Sequence, residues 1–211
     1  VENHVASRPQ VGLDKADLVY EAVAEGGITR FLAVYWRSDA DRIEAVRSAR
    51  VYYLDWAKEL DAVFAHWGQT EEPGPADVWP ALATLDIRDL NGFFLGVAVG
   101  RRDPDRAAPH NVITSTQLLW ATAADHGFNG PPAALQPWRF KDDAPKRAAD
   151  PPSRAAPAVD ISFGGGSVSD YAVRWEYDRA ANGYLRSLGG RPHTDGASGR
   201  QLAARNVAVQ Y

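Results

Sequence analysis

The sequence predicts a mixed α/β or α+β N-terminal domain, followed by a smaller, β-rich C-terminal domain that is incomplete. Strand-like and helix-like segments alternate through the first 130 residues. Seven of the fourteen prolines then fall within 130–157, a composition typical of a linker. Beyond it, apolar residues alternate with polar ones over 171–177, as in a strand with one buried face. We therefore predict an α/β domain at 1–140, a linker at 141–158 and a β-rich domain at 159–211.

The first half of the N-terminal domain is predicted to open with a β-hairpin. Leu18–Val23 is apolar on both faces, which predicts a central strand. Thr29–Trp36 is rich in β-branched and aromatic residues, and the Gly26-Gly27 pair permits a turn between the two strands. Ser48 is a candidate N-cap for a helix through Leu60, and a short strand is expected over Ala62–His66.

The second half of this domain combines two helices with one strand. Asp77 is a candidate cap for a short helix through Leu85. The apolar run Phe93–Val99 predicts a strand, and a further helix is expected over Thr114–His126, closed by Gly127. Trp138 lies just before the linker and is expected to hold the chain against the first domain.

The C-terminal region is predicted to be a β-meander. Strands are expected at Val159–Phe163 and Tyr171–Tyr177, and Asn182-Gly183 is a strong hairpin turn signal. A last strand is predicted to begin at Val207. The Asp-Gly pair in the loop His193–Gly196 predicts a turn rather than a chemical role. Such a short meander has a thin core, so we expect more sequence or another surface to cover it.

Composition excludes several classes of function. The 211 residues carry a net charge of −4, which argues against a nucleic-acid surface. The sequence has no apolar run that approaches the ~20 residues of a membrane span. The absence of cysteine excludes disulfides, thiolate metal sites and cysteine nucleophiles. The chain opens at Val1 without a leader segment, which predicts a processed or excised fragment.

Nine short motifs, in order along the chain, resemble the DUF3048 family of bacterial proteins. In the first domain these are RPQVGLDKADLVYE at 8–21, EGGITRF at 25–31, VRSAR at 46–50, DAVFAH at 61–66 and PHN at 109–111; in the tail they are WEY at 175–177, YLR at 184–186, HTD at 193–195 and NV at 206–207. The resemblance implies an exported, lipid-anchored, extracytoplasmic protein with two domains. It implies no activity, because the family label declares the function unknown.

Polar residues between Glu21 and Asn111 form the candidate site. Arg47 and Arg50 lie at the start of the helix predicted after Ser48. Together with Arg30 and the free N–H groups of that helix, they would bind a carboxylate, phosphate or sulfate. The alternative is that the arginines pair internally with Glu21, Glu25 or Asp55. Trp67 and Trp79 flank an acidic loop and are expected to face a ligand. The predicted ligand-binding residues are Arg30, Arg47, Ser48, Arg50, His66, Arg102, His110 and Asn111.

A catalytic site is a second interpretation. His66 and His110 each end a strand or lie in a loop, and either would serve as a base with Glu21 or Glu25 as the acid. The sequence has no HExxH motif and no carboxylates at metal-ligand spacing, so we predict neither a metal nor another cofactor.

Three functions therefore remain open from the sequence. The first is a binding module for an anionic or glycan-like envelope ligand. The second is a hydrolase acting on cell-envelope material. The third is a structural protein whose C-terminal sheet edge is completed by a protein partner. Nucleic acid is not an expected partner, and a membrane is expected only through a lipid anchor outside this chain.

Overall fold

The computed structural model describes residues 1–70, 74–130, 156–163 and 168–210. Trp138, most of the predicted linker and Tyr211 lie outside these residues. The first domain contains, in order, β1 (Leu18–Val23), β2 (Thr29–Val34), β3 (Ile43–Glu44), α1 (Val51–Glu59), β4 (Val63–His66), α2 (Val78–Thr84), β5 (Arg88–Asn91), α3 (Gly92–Leu95), β6 (Arg101–Arg102), β7 (Val112–Thr114) and α4 (Thr116–Asp125). The C-terminal region contains β8 (Ala158–Ser162), β9 (Ala172–Asp178), β10 (Gly183–Leu188), β11 (Arg191–Pro192) and β12 (Ala203–Ala204).

The strands β1 and β2 form the predicted antiparallel hairpin, with Glu21 opposite Phe31. Gly26 supplies the expected positive φ of 64° in the connection. The prediction that β1 is central in a sheet is wrong, because this hairpin is a two-stranded sheet of its own. The two faces of β2 are both covered, because Leu32 packs towards α1 and Phe31 packs against Leu202 of the C-terminal region. Val19 and Val23 of β1 are exposed.

A parallel pair of strands, β4 and β5, lies between two layers of helix. Phe64 of β4 packs with Leu54 of α1 and Val78 of α2 in one buried cluster. Leu90 of β5 packs with Ala123 of α4 in another. The mixed α/β character predicted for this domain is therefore present as an α/β/α arrangement.

The helix α1 begins three residues later than its predicted cap. Its N-cap is Arg50, which makes no side-chain capping bond, so Ser48 is not the cap. The segment before the helix is extended instead and pairs with the chain after β4. Trp67 N donates to Arg47 O at 3.1 Å, and Ala49 N donates to Gly68 O at 2.9 Å. Arg47 therefore precedes the helix and does not share a helical face with Arg50.

The predicted strand over Phe93–Val99 is also wrong. The side chain of Asn91 accepts a hydrogen bond from Phe93 N at 3.0 Å and starts α3, and a 3₁₀ turn at Gly96–Ala98 follows. The Asp77 cap of α2 is confirmed, because its carboxylate accepts from Trp79 N at 3.0 Å.

In the C-terminal region the strands follow the order β11-β10-β9-β8, and β12 pairs with β10. The hairpin turn between β9 and β10 is confirmed, with Asn182 at a φ of 47°. The strand predicted from Val207 is wrong for the described residues, since 206–210 form no strand and Val209 lies at the surface. β8 forms one edge of this sheet, and its pairing with a protein partner stays a prediction.

Ion pairs and hydrogen bonds attach this sheet to the first domain, and this contact is called the joint below. Arg186 Nη2 lies 2.9 Å from Glu21 Oε2, and Asp195 Oδ2 accepts from Gly12 N at 2.6 Å. The same aspartate accepts from Ala197 N at 2.9 Å, which confirms the predicted turn. Leu202 packs against the hairpin, so the first domain covers the thin core. No helix within the described ranges is long and apolar enough to cross a membrane.

Candidate functional site

A cavity of about 570 Å³ lies between the β1–β2 hairpin and β4. Most of its lining is aliphatic or aromatic, with contributions from β2, α1, β4 and α4. Four of the predicted ligand-binding residues line it, namely Arg30, Arg47, Ser48 and His66. The fold thus brings together residues that are spread over 37 positions of sequence.

Arg30 is the most buried cation of this group, with only 6% of its surface exposed. Its Nη1 donates to Ser48 O at 3.1 Å, and its Nη2 donates to Glu25 Oε2 at 3.2 Å. Its Nε has no hydrogen-bond partner among the described residues. Burial lowers the pKa of Arg30, and the neighbouring charge of Arg50 lowers it further. A buried guanidinium with a free N–H group is costly unless an acceptor reaches it.

Arg47 lines the same cavity. Its Nε lies 3.0 Å from Glu2 Oε1, an ion pair that lies off the N–H direction and is not a hydrogen bond. Its side chain donates no hydrogen bond to any residue within the described ranges. Glu2 is buried, and its other oxygen lies 2.6 Å from His110 Nδ1. A single carboxylate is therefore shared between Arg47 and His110.

The balance of charge at this end of the cavity is positive. Among the described residues, three arginines at positions 30, 47 and 50 pair with two carboxylates, Glu2 and Glu25. Arg50 bonds to Glu25 through Nε, and this hydrogen bond is the main cause that lowers the pKa of Glu25 to about 2. Glu25 stays ionised at neutral pH, so the surplus is one positive charge. The internal pairing expected as the alternative holds for Arg30 and Arg50.

Both ring nitrogens of His66 contact residues of the protein rather than the cavity. It is 2% exposed, with Nδ1 at 2.6 Å from Gly68 O and Nε2 at 2.6 Å from Asp89 Oδ1. Both ring nitrogens are occupied, so neither is free to take a proton from a substrate. The ring instead fixes the C-terminal end of β4 against β5.

The catalytic pairs considered from the sequence are not assembled in the described structure. His110 contacts Glu2 and stacks on His4 at 4.6 Å. Glu21 accepts a hydrogen bond from Thr29 Oγ1 at 2.7 Å and forms an ion pair with Arg186. Glu25 forms ion pairs with Arg30 and Arg50. No group of three or more potential metal ligands occurs among the residues that the structure describes.

Two further predicted residues, Arg102 and Asn111, lie outside the cavity. Arg102 Nη1 donates to Asn111 Oδ1 at 2.8 Å, and Asn111 Nδ2 donates to Asp103 O at 3.1 Å. These bonds hold the loop between β6 and β7. Of the two tryptophans, Trp67 packs against Gly92, where an added Cβ would meet its ring at 2.3 Å. Trp79 is 41% exposed and lies 5.5 Å from Phe94, measured between ring centroids.

The sequence reasoning missed Glu2. It lies in a segment without periodicity, which the sequence marks only as an irregular lead-in. Its burial depends on an isolated bridge to Arg30 and on Glu2 N, which donates to Ala45 O at 2.9 Å. No local signal in the sequence predicts such a contact.

Comparison with known proteins adds a family and a related fold. Residues 1–129 match the model described as "Protein of unknown function (DUF3048) N-terminal domain", and residues 159–211 match the corresponding C-terminal domain model. The chain is 32% identical to "Putative lipoprotein YerB" of Bacillus subtilis (strain 168), over 99% of this chain and 60% of that protein. A crystal structure of the Bacillus subtilis YerB protein superposes with a TM-score of 0.80 at 31% identity, covering 96% of this chain and 64% of that one. The present chain thus spans less than two thirds of these relatives, and the fold class predicted from the sequence is confirmed.

Proposed function

This chain belongs to the DUF3048 family, and from that premise we propose that it is an extracytoplasmic, lipid-anchored envelope protein that binds an anionic ligand. The location follows the relative whose name describes a lipoprotein. The ligand site is the end of the cavity where Arg30, Arg47 and Ser48 meet.

One observation carries this proposal: Arg47 lines an apolar cavity, and its side chain has an ion pair with Glu2 but no hydrogen bond to any residue that the structure describes. Charge-assisted hydrogen bonds to a carboxylate or phosphate are strong, and a guanidinium fork suits both groups. An anion there would also offset the surplus charge of the three neighbouring arginines. The binding function thus accounts for a feature that internal ion pairs leave unexplained.

The character of the cavity selects among anionic ligands. Its volume of about 570 Å³ falls in the range of roughly 300–1,000 Å³ typical of small-molecule sites. Because most of its lining is apolar, it favours an anion with an apolar part over a free glycan.

A thermal-shift screen tests the proposal. Ligand binding raises the melting temperature according to the concentration and affinity of the ligand. We expect carboxylates with apolar substituents to stabilise the protein, and Arg47→Gln to abolish the shift. Arg101→Gln is the matched control, since Arg101 is exposed on β6 and does not line the cavity. If the two variants lose stabilisation equally, or if neither loses it, the proposed site is wrong.

A further inference from the structure

Glu2 connects the proposed anion site to a histidine that lies outside it. Its Oε1 lies 3.0 Å from Arg47 Nε, and its Oε2 lies 2.6 Å from His110 Nδ1. Arg47 lines the cavity, whereas His110 does not. One carboxylate therefore partners two groups, and only the arginine belongs to the ligand site.

Main-chain contacts fix the position of Glu2. The residue forms an antiparallel bridge with Arg30, and its N–H donates to Ala45 O at 2.9 Å. Only 3% of Glu2 is exposed. Water therefore screens its carboxylate little, and a change of charge at one of its partners acts strongly on the other.

The contact with Glu2 decides which nitrogen of His110 carries the proton in the neutral ring. A carboxylate only accepts hydrogen bonds, so Nδ1–H is the donor to Glu2. The other nitrogen, Nε2, makes no hydrogen bond to any residue that the structure describes, and 18% of the side chain is exposed. A second proton can therefore reach Nε2 from solvent without breaking the bond to Glu2.

The ring of His4 is a second titratable group in contact with His110. The two rings are stacked, with 4.6 Å between their centroids and 9° between their planes. Ala6 N donates to His4 Nδ1 at 3.1 Å, so the proton of the neutral His4 ring lies on Nε2. Two stacked imidazolium rings would repel each other, and the pair therefore takes up one proton more readily than two.

The remaining charges near His110 leave Glu2 as its acidic partner. Charged groups on the neighbouring segments are Arg30, Arg47, Asp103, Asp105 and Arg106. Arg106 pairs with the buried Glu44. Within the described ranges, the carboxylate that pairs with His110 is that of Glu2.

The charge available to a ligand then depends on His110. With a neutral ring, Glu2 offsets the charge of Arg47. With a protonated ring, the imidazolium draws on the same carboxylate, and Arg47 keeps more of its charge for a ligand. Resting on the anion-binding function proposed above, we propose that the site takes up its anion together with a proton, which His110 holds. His110 is a positioning residue, because it acts on Arg47 through Glu2 and does not touch the anion.

This coupling acts in both directions. A proton on His110 strengthens the binding of the anion, and the anion favours the proton by the same free energy. Histidine side chains ordinarily change charge between pH 5 and pH 8. We therefore expect the affinity for an anion to rise as the pH falls from 8 to 6, by about tenfold in total. One coupled proton limits the rise to about tenfold per pH unit.

Nuclear magnetic resonance of the imidazole nitrogens tests the proposal on the unmodified chain. The probe is hexanoate, which has an apolar tail and stays ionised between pH 6 and pH 8. The chain has only five histidines, and their rings are assigned through the backbone. We expect hexanoate to raise the protonated fraction of His110 at pH 7. The internal control is His126, which is exposed at the end of α4 and should not respond.

Calorimetry counts the proton. Hexanoate is titrated into the protein at pH 7 in Bis-Tris and in Tris, two cationic buffers with different heats of ionisation, and the difference in binding heat gives the number of protons taken up. We expect the wild type to take up a measurable fraction of one proton. His110→Gln keeps a side-chain N–H for Glu2 but does not titrate, so both the uptake and the rise in affinity at lower pH should disappear. His126→Gln is the matched control and should keep both.

The outcomes separate this inference from the proposed function. Hexanoate binding that requires Arg47, with equal affinity at pH 8 and pH 6 and no proton uptake, overturns the coupling and keeps anion binding. Uptake of the proton by His4 in place of His110, or uptake that persists in His110→Gln, also overturns it. Circular dichroism reports whether each variant folds, and the nitrogen spectra of the wild type decide the matter without a variant. If Arg47→Gln leaves the affinity for hexanoate unchanged, both proposals fail.

Discussion

The histidine at the joint between the two domains predicts how the stability of the protein depends on pH. Arg186 Nε donates to His193 Nδ1 at 2.9 Å, so the proton of the neutral ring lies on Nε2, which donates to Gln10 Oε1 at 2.8 Å. His193 is 5% exposed. Burial, and then the charge of Arg186, lower the pKa of His193 to about 3. Protonation would break the hydrogen bond from Arg186 and place two positive charges side by side.

The sign and size of the effect follow from this shift. In the unfolded chain a histidine has a pKa of about 6.5. Between pH 6.5 and pH 3 the unfolded state therefore binds one proton that the folded state does not, and the free energy of unfolding falls as the pH is lowered. Between pH 7 and pH 5 this group alone removes about 2 kcal/mol of stability.

Urea denaturation at pH 7 and pH 5 measures this contribution. His193→Gln removes the titrating group and keeps an amide that can bond to Gln10, so the variant should lose about 2 kcal/mol less than the wild type between the two pH values. His126→Gln is the control for the same substitution outside the joint, because His126 lies exposed at the end of α4. Equal pH dependence in the wild type and His193→Gln would refute the buried neutral histidine.

Two comparisons between matched variants test other parts of the fold. Gly12→Ala should destabilise the protein by more than 2 kcal/mol, because φ is +88° and the new Cβ would meet a backbone oxygen at 2.5 Å. Gly26→Ala should cost only about 1 kcal/mol, because φ is +64° but the space around it is open. Thermal unfolding of the two variants measures the difference. Arg186→Met should cost about 3 kcal/mol, because it leaves the carboxylate of Glu21 without its buried partner. In the same denaturation assay Arg174→Met should cost much less, because both partners of its ion pair with Asp160 are exposed. Similar losses in both variants would contradict the buried joint.

The elements that the sequence predicts well are those whose signals are local. The Gly26-Gly27 turn and the β-forming residues after it specify the first hairpin without help from distant residues. Asp77 caps its helix through a hydrogen bond to a backbone N–H two residues away. The turn before Gly183 depends on the positive φ of Asn182, a conformation that asparagine adopts more readily than most residues. In each case the deciding interaction is contained in a few neighbouring residues.

The wrong predictions have tertiary causes. Phe93–Val99 is a short apolar run, and its length does not distinguish a strand from a helix. The Asn91 side chain accepts a hydrogen bond from Phe93 N and so starts the helix α3, while the ring of Trp67 packs beside Gly92. Ser48 is a good cap by residue type, but pairing of the preceding segment with the end of β4 holds it in extended backbone.

The sequence predicts the arginines of the candidate site but neither Glu2 nor the cavity, and this difference has a physical cause. Charge is a property of the side chain, so the density of arginines around Arg47 marked the cationic end of the cavity in advance. The acid that binds Arg47 comes from Glu2, 45 positions earlier, and only the fold brings the two together. The rest of the cavity is lined mostly by apolar side chains of β2, α1, β4 and α4. In the sequence, an apolar residue that lines a cavity looks the same as one that fills a core, so only the fold separates the two.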